Sequence, residues 1–243
     1  MFLCIDSGNS RTKTGVFNDL DVLVSVDAIA GDVLMQLQKI ISGFKIEHAI
    51  ISITGKNEFD ISKLDVPGKL IELSHNTVLP IEIVYMTPET LGRDRIASAC
   101  GAHALYPGKN ILIVDAGTCV TSDLLLAKGI FIGGNIAPGI QMRLTAMHEK
   151  TARLPLAEPG FPELVFGDST LHALQNGACL GVVMEIEGIL NRAKKAYGEV
   201  SVVITGGDSG LLAAKLESQI FVEPELVTQG LFQILSFNVK NTN

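Results

Sequence analysis

The residues of this chain best suited to chemistry are three aspartates that stand beside glycines. Asp6 opens "DSGNSRTK" (residues 6–13), Asp115 opens "DAGTCVT" (residues 115–121), and Asp94 lies in "LGRDR" (residues 91–95) between two arginines. An Asp-x-Gly turn after an apolar strand has a defined physical use. Glycine has no Cβ, so backbone N–H groups can approach an anion closely. Consecutive N–H groups in such a turn form a concave anion site. A strand-end carboxylate repels phosphate directly but can hold a hydrated Mg²⁺ that bridges phosphate oxygens. Asn9 and Ser10 add neutral donors, and Lys13 adds a compact positive charge. Asp94 has a different setting. It could cap a helix, share a surface ion pair with a neighbouring arginine, or act as a base, and the peptide alone leaves all three readings open.

Alternating strands and helices must position these groups, which makes the chain an α/β protein. Apolar runs predict strands over residues 2–6, 12–17, 22–27, 48–54 and 79–85. Helical spacing covers 33–44, and a second helix runs from Gly92 to about Leu105, before the break "YPGKN". The second half restarts the pattern. Strand, turn and strand fill 110–126, a third strand covers 129–139, and a helix follows over 140–149. After the irregular "PLAEPGFPEL", one long helix is expected over 169–197, with Leu174, Ala178, Val182, Ile186, Ile189 and Ala193 in one stripe. A strand over 201–208 runs into a glycine turn, and a last helix begins near Glu225.

The two halves repeat one another. "LCIDSGNSRTKTGVF" aligns with "LIVDAGTCVTSDLLL", and further on "IISITGK" aligns with "VVITGGD". Each half therefore has an Asp-x-Gly hairpin and a later strand ending in Thr-Gly. The expected division is residues 1–107 and 108–243, two similar halves with a cleft between them.

Composition narrows the function classes. The chain has 243 residues, 47% apolar and 19% charged, as a globular core requires. Its net charge of -7 argues against nucleic acid as a partner. Cys4, Cys100, Cys119 and Cys179 form no CxxC pair, and three sit in apolar runs, as small hydrophobes in a reducing cytoplasm would. The start "MFLCIDSGN" lacks a basic leader, and no uninterrupted apolar stretch approaches a bilayer span, so no membrane is expected. The histidines have no zinc spacing. The chain lacks a GxxxxGK[ST] loop, a GxGxxG helix start and the HRD, DFG and APE set of protein kinases, so nucleotide binding must use the hairpins.

Duplicated Asp-x-Gly hairpins with a later Thr-Gly-Gly turn resemble the superfamily of acetate and sugar kinases, heat-shock cognate ATPases and actin. Within it, "DSGNSRTK", "LGRDR", "DAGTCVT" and "GGNIAPG" (residues 133–139), in that order, resemble type III pantothenate kinases over essentially the whole chain. The Gly-x-Asp-Arg element is the most specific of the four. The resemblance implies two actin-like, ribonuclease H-like domains with a nucleotide cleft between them, and a cytoplasmic homodimer that starts coenzyme A synthesis.

The resemblance also implies roles. ATP would contact Asp6, Ser7, Gly8, Asn9, Ser10, Arg11, Thr12, Lys13 and Thr118, with "TGGD" as the adenosine turn. Mg²⁺ would be held by Asp6 through water, and a monovalent cation, K⁺ or NH₄⁺, by Asp115. Pantothenate would meet Tyr85, Gly92, Arg93, Asp94, Arg95 and Thr170, with Asp94 as the catalytic base. The bland reading of Thr170 is helix capping, since "DST" opens the long helix. Glu185 and Glu187 on that helix read as solvated. Two rival readings remain: a superfamily kinase for another hydroxy acid or sugar, which "LGRDR" disfavours, and a non-catalytic ATP-binding regulator, which would tolerate loss of Asp6 or Asp94.

Overall fold

The computed structural model describes residues 1–8, 11–55 and 59–241, and the chain divides into two units. Unit 1 comprises Met1–Pro107, Gly129–Phe131 and Glu225–Asn243; unit 2 comprises Gly108–Lys128 and Ile132–Pro224. Sequence order places residues 225–243 with the second half, whereas their contacts lie in unit 1.

In unit 1, β1 (Phe2–Ser7) pairs antiparallel with β2 (Thr12–Phe17), and β2 pairs antiparallel with β3 (Leu23–Ile29). On the other side β1 runs parallel to β4 (His48–Ile53), and β4 parallel to β5 (Leu70–Glu72). The sheet order is β3-β2-β1-β4-β5. Side chains alternate between the two faces of a strand. One face carries Leu3, Ile5, Val16, Ala49 and Ile51 into a core with Leu37 and Ile41 of α1 (Val33–Phe44). On the other face Phe17 stacks on Phe232 at 4.2 Å between ring centroids, and Phe2 meets the same ring edge-on at 5.5 Å.

Phe232 belongs to α7 (Leu226–Lys240), which packs beside α2 (Arg93–Leu105). The two helix backbones nearly touch. A Cβ at Gly230 would stand 1.7 Å from the Ala97 carbonyl oxygen, and one at Gly101 would stand 2.6 Å from that of Leu226.

Unit 2 repeats the topology. β7 (Asn110–Ala116) pairs antiparallel with β8 (Cys119–Leu126) and parallel with β10 (Val200–Thr205), which pairs parallel with β11 (Ile220–Val222). With β9 (Ile130–Pro138) the order is β9-β8-β7-β10-β11, matching β3-β2-β1-β4-β5 strand for strand. The first two residues of β9 belong to unit 1, where they pair with β6 (Glu82–Ile83). The helices of unit 2 are α3 (Ile140–Glu149), α4 (Thr170–Gln175), α5 (Gly181–Tyr197) and α6 (Ser209–Ala213).

The expected long helix is interrupted. A π-helical turn over Asn176–Leu180 separates α4 from α5, with the Gly181 N–H donating to the Asn176 carbonyl. Within α5, Leu190 is buried with Val182, Val183, Ile186 and Ala193, and Ile189 is partly buried at the edge of the same core. The segment Thr170–Tyr197 passes a length-and-composition test for a membrane span, but this stripe packs into the core of unit 2. The expected strand over 79–85 shrinks to Glu82–Ile83, because Pro80 has no N–H to donate and the pairing to β9 lasts two residues.

The helix crossing gives a direct test. Gly230→Ala is expected to destabilise the fold by about 2–3 kcal/mol through overpacking. Gly43→Ala, at an α1 position with open space around it, should instead stabilise by about 0.5–1 kcal/mol. Urea-unfolding midpoints of the two variants would check both signs.

Candidate active site

The first hairpin brings its residues together in register. Asp6 lies opposite Lys13 and Ser7 opposite Thr12, and the buried hydroxyls of Ser7 and Thr12 are 3.3 Å apart. The Gly8 N–H donates to the Arg11 carbonyl at 3.1 Å, and Arg11 is exposed. Asn9 and Ser10 lie outside the described residues. On its β4 side Asp6 is in register with Ser52, whose hydroxyl is fully buried without a hydrogen-bond partner among the described residues. The chain beyond β4 closes over the same strand end: the N–H groups of Thr54 and Gly55 both donate to the Ser7 carbonyl, at 2.9 and 3.0 Å.

The "LGRDR" element reaches this strand end through Arg93. Its Nη1 donates to the Ile53 carbonyl at 2.8 Å and lies 3.7 Å from Glu72 Oε1. Ile53 is in turn the register partner of Ser7. The N-terminus of α2 therefore stands beside the carboxyl ends of β1 and β4, the end of an α/β sheet where ligands bind. Gly92 occupies the N-cap position without a side-chain cap, and Asp94 lies in the first turn. Its Oδ1 accepts the Arg95 backbone N–H at 2.9 Å. A Cβ at Gly92 would stand 2.6 Å from that oxygen, so glycine there leaves room for the carboxylate.

The ion-pair reading of Asp94 is corrected. Among the described residues, neither flanking guanidinium pairs with it. Arg93 points to Ile53 and Glu72. Arg95 is 6% exposed, and its guanidinium carbon lies 5.9 Å from the ring centroids of both Tyr85 and Phe131. Tyr85 thus meets a residue of the element it was expected to join.

The second hairpin is built the same way. Asp115 on β7 is in register with Thr121 on β8 and Thr205 on β10. The Gly117 N–H donates to the Cys119 carbonyl at 2.9 Å, and Thr118 is exposed at the tip. The Thr118 carbonyl accepts the Gly139 N–H at 3.0 Å, which ties "GGNIAPG" to the hairpin; a Cβ at Gly139 would stand 2.2 Å from the Gly117 carbonyl oxygen. After β10 the Asp208 N–H donates to the Ala116 carbonyl at 2.9 Å, the counterpart of Gly55 bonding Ser7. Gly206 makes this turn with φ +92°, and a Cβ there would stand 2.5 Å from Asp115 Oδ1. Burial pushes the Asp208 carboxyl up from its ordinary value.

Thr170 is the first residue of α4 and exposed; the cap is its neighbour Ser169, whose hydroxyl accepts the His172 N–H. The two glutamates of α5 are engaged and not merely solvated: Glu185 pairs with Arg143, and Glu187 accepts the Glu217 N–H. Burial pushes the thiols of Cys4, Cys100 and Cys179 up, in keeping with small hydrophobes. Among the described residues no three His, Cys, Asp or Glu side chains gather as metal ligands. The donors at both strand ends are one carboxylate each and backbone carbonyls, hard oxygens that suit Mg²⁺ or K⁺ shared with a ligand and water, not a closed protein cage.

Sequence reasoning missed Glu225. Its Oε1 lies 3.4 Å from Lys13 Nζ, although the two residues are 212 positions apart.

Two copies of one strand order, each with an Asp-x-Gly hairpin at its carboxyl end, define an actin-like fold of the ATPase and sugar-kinase class. Solved structures agree on the fold. The chain matches a Campylobacter jejuni structure described as a conserved putative Baf family transcriptional activator, with TM-score 0.65 and 20% identity over 98% of this chain and 99% of that one. It also matches an activator of 2-hydroxyisocaproyl-CoA dehydratase from Clostridium difficile, with TM-score 0.58 and 12% identity over 100% and 98% of the two chains. The family model of type III pantothenate kinase matches residues 2–192. Relatives named type III pantothenate kinase include one from Phocaeicola vulgatus, 39% identical over 99% of this chain and 100% of its own. Another, from Christiangramia forsetii, is 36% identical over 98% and 99%. The chain belongs to the type III pantothenate kinase family.

The close approach at Gly92 separates activity from stability. Gly92→Ala should displace the Asp94 carboxylate and lower kinase turnover by about 10²-fold, the order that a 1 Å misplacement costs. The melting temperature should hold, because the atom displaced is a side-chain end. Rates and thermal melts on one preparation would show the split.

Proposed function

We propose that the chain transfers the γ-phosphoryl of ATP to the primary hydroxyl of pantothenate, giving 4′-phosphopantothenate and ADP, the first step of coenzyme A synthesis. The observation that carries this reading is the position of Asp94 beside the carboxyl ends of β1 and β4, in a chain of this family. Phosphoryl transfer asks for in-line positioning, charge neutralisation and a group to take the hydroxyl proton. Asp6, Ser7, Gly8, Arg11, Thr12, Lys13 and Thr118 are assigned to ATP, with Asn9 and Ser10 on the family pattern alone. Mg²⁺ near Asp6 would neutralise phosphate charge, and Asp115 with its turn carbonyls suits a monovalent cation, K⁺ or NH₄⁺. Tyr85, Gly92, Arg93, Arg95 and Thr170 are assigned to pantothenate, and one of the arginines would hold its carboxylate by a charge-assisted pair. Asp94 takes the hydroxyl proton.

We assign the enzyme to the cytoplasm, as a homodimer without nucleic acid or membrane partners. Gly177 and Gly188 face open space on the exposed side of the α4–α5 segment, next to Met184, which is 52% exposed. Such a stripe would let a second copy approach closely, which supports the dimer reading, and sedimentation at assay concentration should give twice the chain mass.

A coupled ADP-release assay tests the reaction. Pantothenate should be phosphorylated in preference to a panel of sugars and hydroxy acids, and faster with K⁺ or NH₄⁺; no activity on pantothenate would sink the assignment. Asp94→Asn should lower kcat by about 10²–10⁴-fold while leaving ATP binding intact. Wild-type turnover in that variant would remove Asp94 as the base.

A further inference from the structure

Glu225 immediately precedes α7 and lies beyond residues 2–192, the part of the chain matched by the family model. Its carboxylate is held at both oxygens. Lys13 Nζ stands 3.4 Å from Oε1, and Thr228 Oγ1 donates to Oε2 at 3.4 Å. Both side chains of the ion pair are mostly covered, 24% and 28% exposed. The carboxylate also sits at the N-terminal end of a helix, where the dipole favours negative charge.

Thr228 is fixed in turn. It is 3% exposed, and its Cγ2 fills the space over Gly15, 2.2 Å from where a Cβ there would stand. Gly15 and Lys13 are alternate residues of β2 and share the face on which α7 packs. The first turn of α7 is thereby seated on β2, and Glu225 is delivered to the lysine of the hairpin. A lysine stem is long and rotamer-rich, and ordering it when a ligand arrives costs affinity.

We propose that Glu225 is a positioning residue of the nucleotide site: it holds the Lys13 ammonium at the hairpin, so that the ammonium meets the ATP polyphosphate already ordered. The inference rests on the reading of Lys13 as a phosphate ligand. Glu225 touches no reacting atom. It acts through Lys13, with Thr228 as its clamp.

The test is a double-mutant cycle on the full-length protein, read by calorimetric titration with MgATP and by initial rates. Glu225→Gln keeps the side-chain shape and removes the charge. It should weaken MgATP binding about threefold to fivefold, the range expected of a partly exposed ion pair. The KM for pantothenate should not move, a split that a general loss of packing would not produce. In a Lys13→Met background the same substitution should change MgATP binding less than twofold, because its effect passes through the lysine. Thr228→Val retains the contact over Gly15 and loses the hydroxyl, so it should weaken MgATP binding in the same direction. It also provides a second reading should Glu225→Gln fold poorly.

An unchanged MgATP affinity in Glu225→Gln would overturn the inference. So would an equal loss in the Lys13→Met background, which would place the effect in α7 packing. If Lys13→Met alone leaves MgATP binding at the wild-type level, the phosphate role of Lys13 fails and this inference falls with it. That outcome is read from a single variant, so it is distinct from the other two.

Discussion

Helix α7 lies against α2 at a distance that only glycine permits. At Gly230 the nearest neighbour is a carbonyl oxygen, and a backbone cannot step aside as a side chain can. Much of unit 1 depends on this contact. With α7 held there, Phe232 reaches Phe17 and Phe2, and Thr228 covers Gly15. The face of the sheet opposite α1 is closed by this helix. α2 is fixed by the same contact, and its N-terminus carries "LGRDR" to the end of β4. Glycine inside a helix costs about 1 kcal/mol relative to alanine. Two helices accept that cost at their crossing because it brings together the core of unit 1 and the groups proposed for chemistry.

A second constraint is repeated in both units. The central strand carries an aspartate as its last residue but one and turns back as a hairpin, while the chain just beyond the neighbouring parallel strand returns an N–H to the carbonyl one residue past the aspartate. In unit 1 the bond is Gly55 to Ser7; in unit 2 it is Asp208 to Ala116. This bond fixes the direction of the hairpin relative to the sheet, and it explains the second glycine motif. A residue with a Cβ at 206 would meet both the Ala116 carbonyl and the Asp115 carboxylate. The hydrogen-bonded corner repeats, but the Thr-Gly pairs do not superpose in register: Asp6 faces Ser52, two residues before Thr54, whereas Asp115 faces Thr205 itself.

Much of this was legible in the sequence, and the misses have physical causes. The hairpins, the Thr-Gly strand ends and α2 follow from apolar runs and glycine positions, which are local signals. β5, β11 and α6 span three to five residues and carry no periodicity to read. The π turn was hidden because one wider turn leaves the apolar stripe continuous: Leu174 and Ala178 before α5 and Val182, Ile186 and Ala193 within it are all buried in one core. The placement of α7 in unit 1 and the Lys13–Glu225 pair are long-range facts. A glutamate 212 positions from its lysine has no pattern in sequence, and its only local mark is the start of a helix.

The proposed base shows how geometry separates residues that sequence puts side by side. Adjacent residues on a helix do not face each other. Arg93 turns toward β4, Arg95 is buried between Tyr85 and Phe131, and Asp94 is left with its own helix: one oxygen accepts the Arg95 N–H and the other has no partner among the described residues. A carboxylate paired to either arginine would have its lone pairs occupied and would have to break that pair to accept a proton. Here no pair has to break. Arg93 instead does the positioning, because its bond to Ile53 sets the helix start, and with it Asp94, against the strand end that carries Asp6. In a loose phosphoryl transfer the hydroxyl proton leaves late, so a weak base with an open oxygen is sufficient. The physical demand on the motif is therefore placement and access, which Gly92 and Arg93 supply.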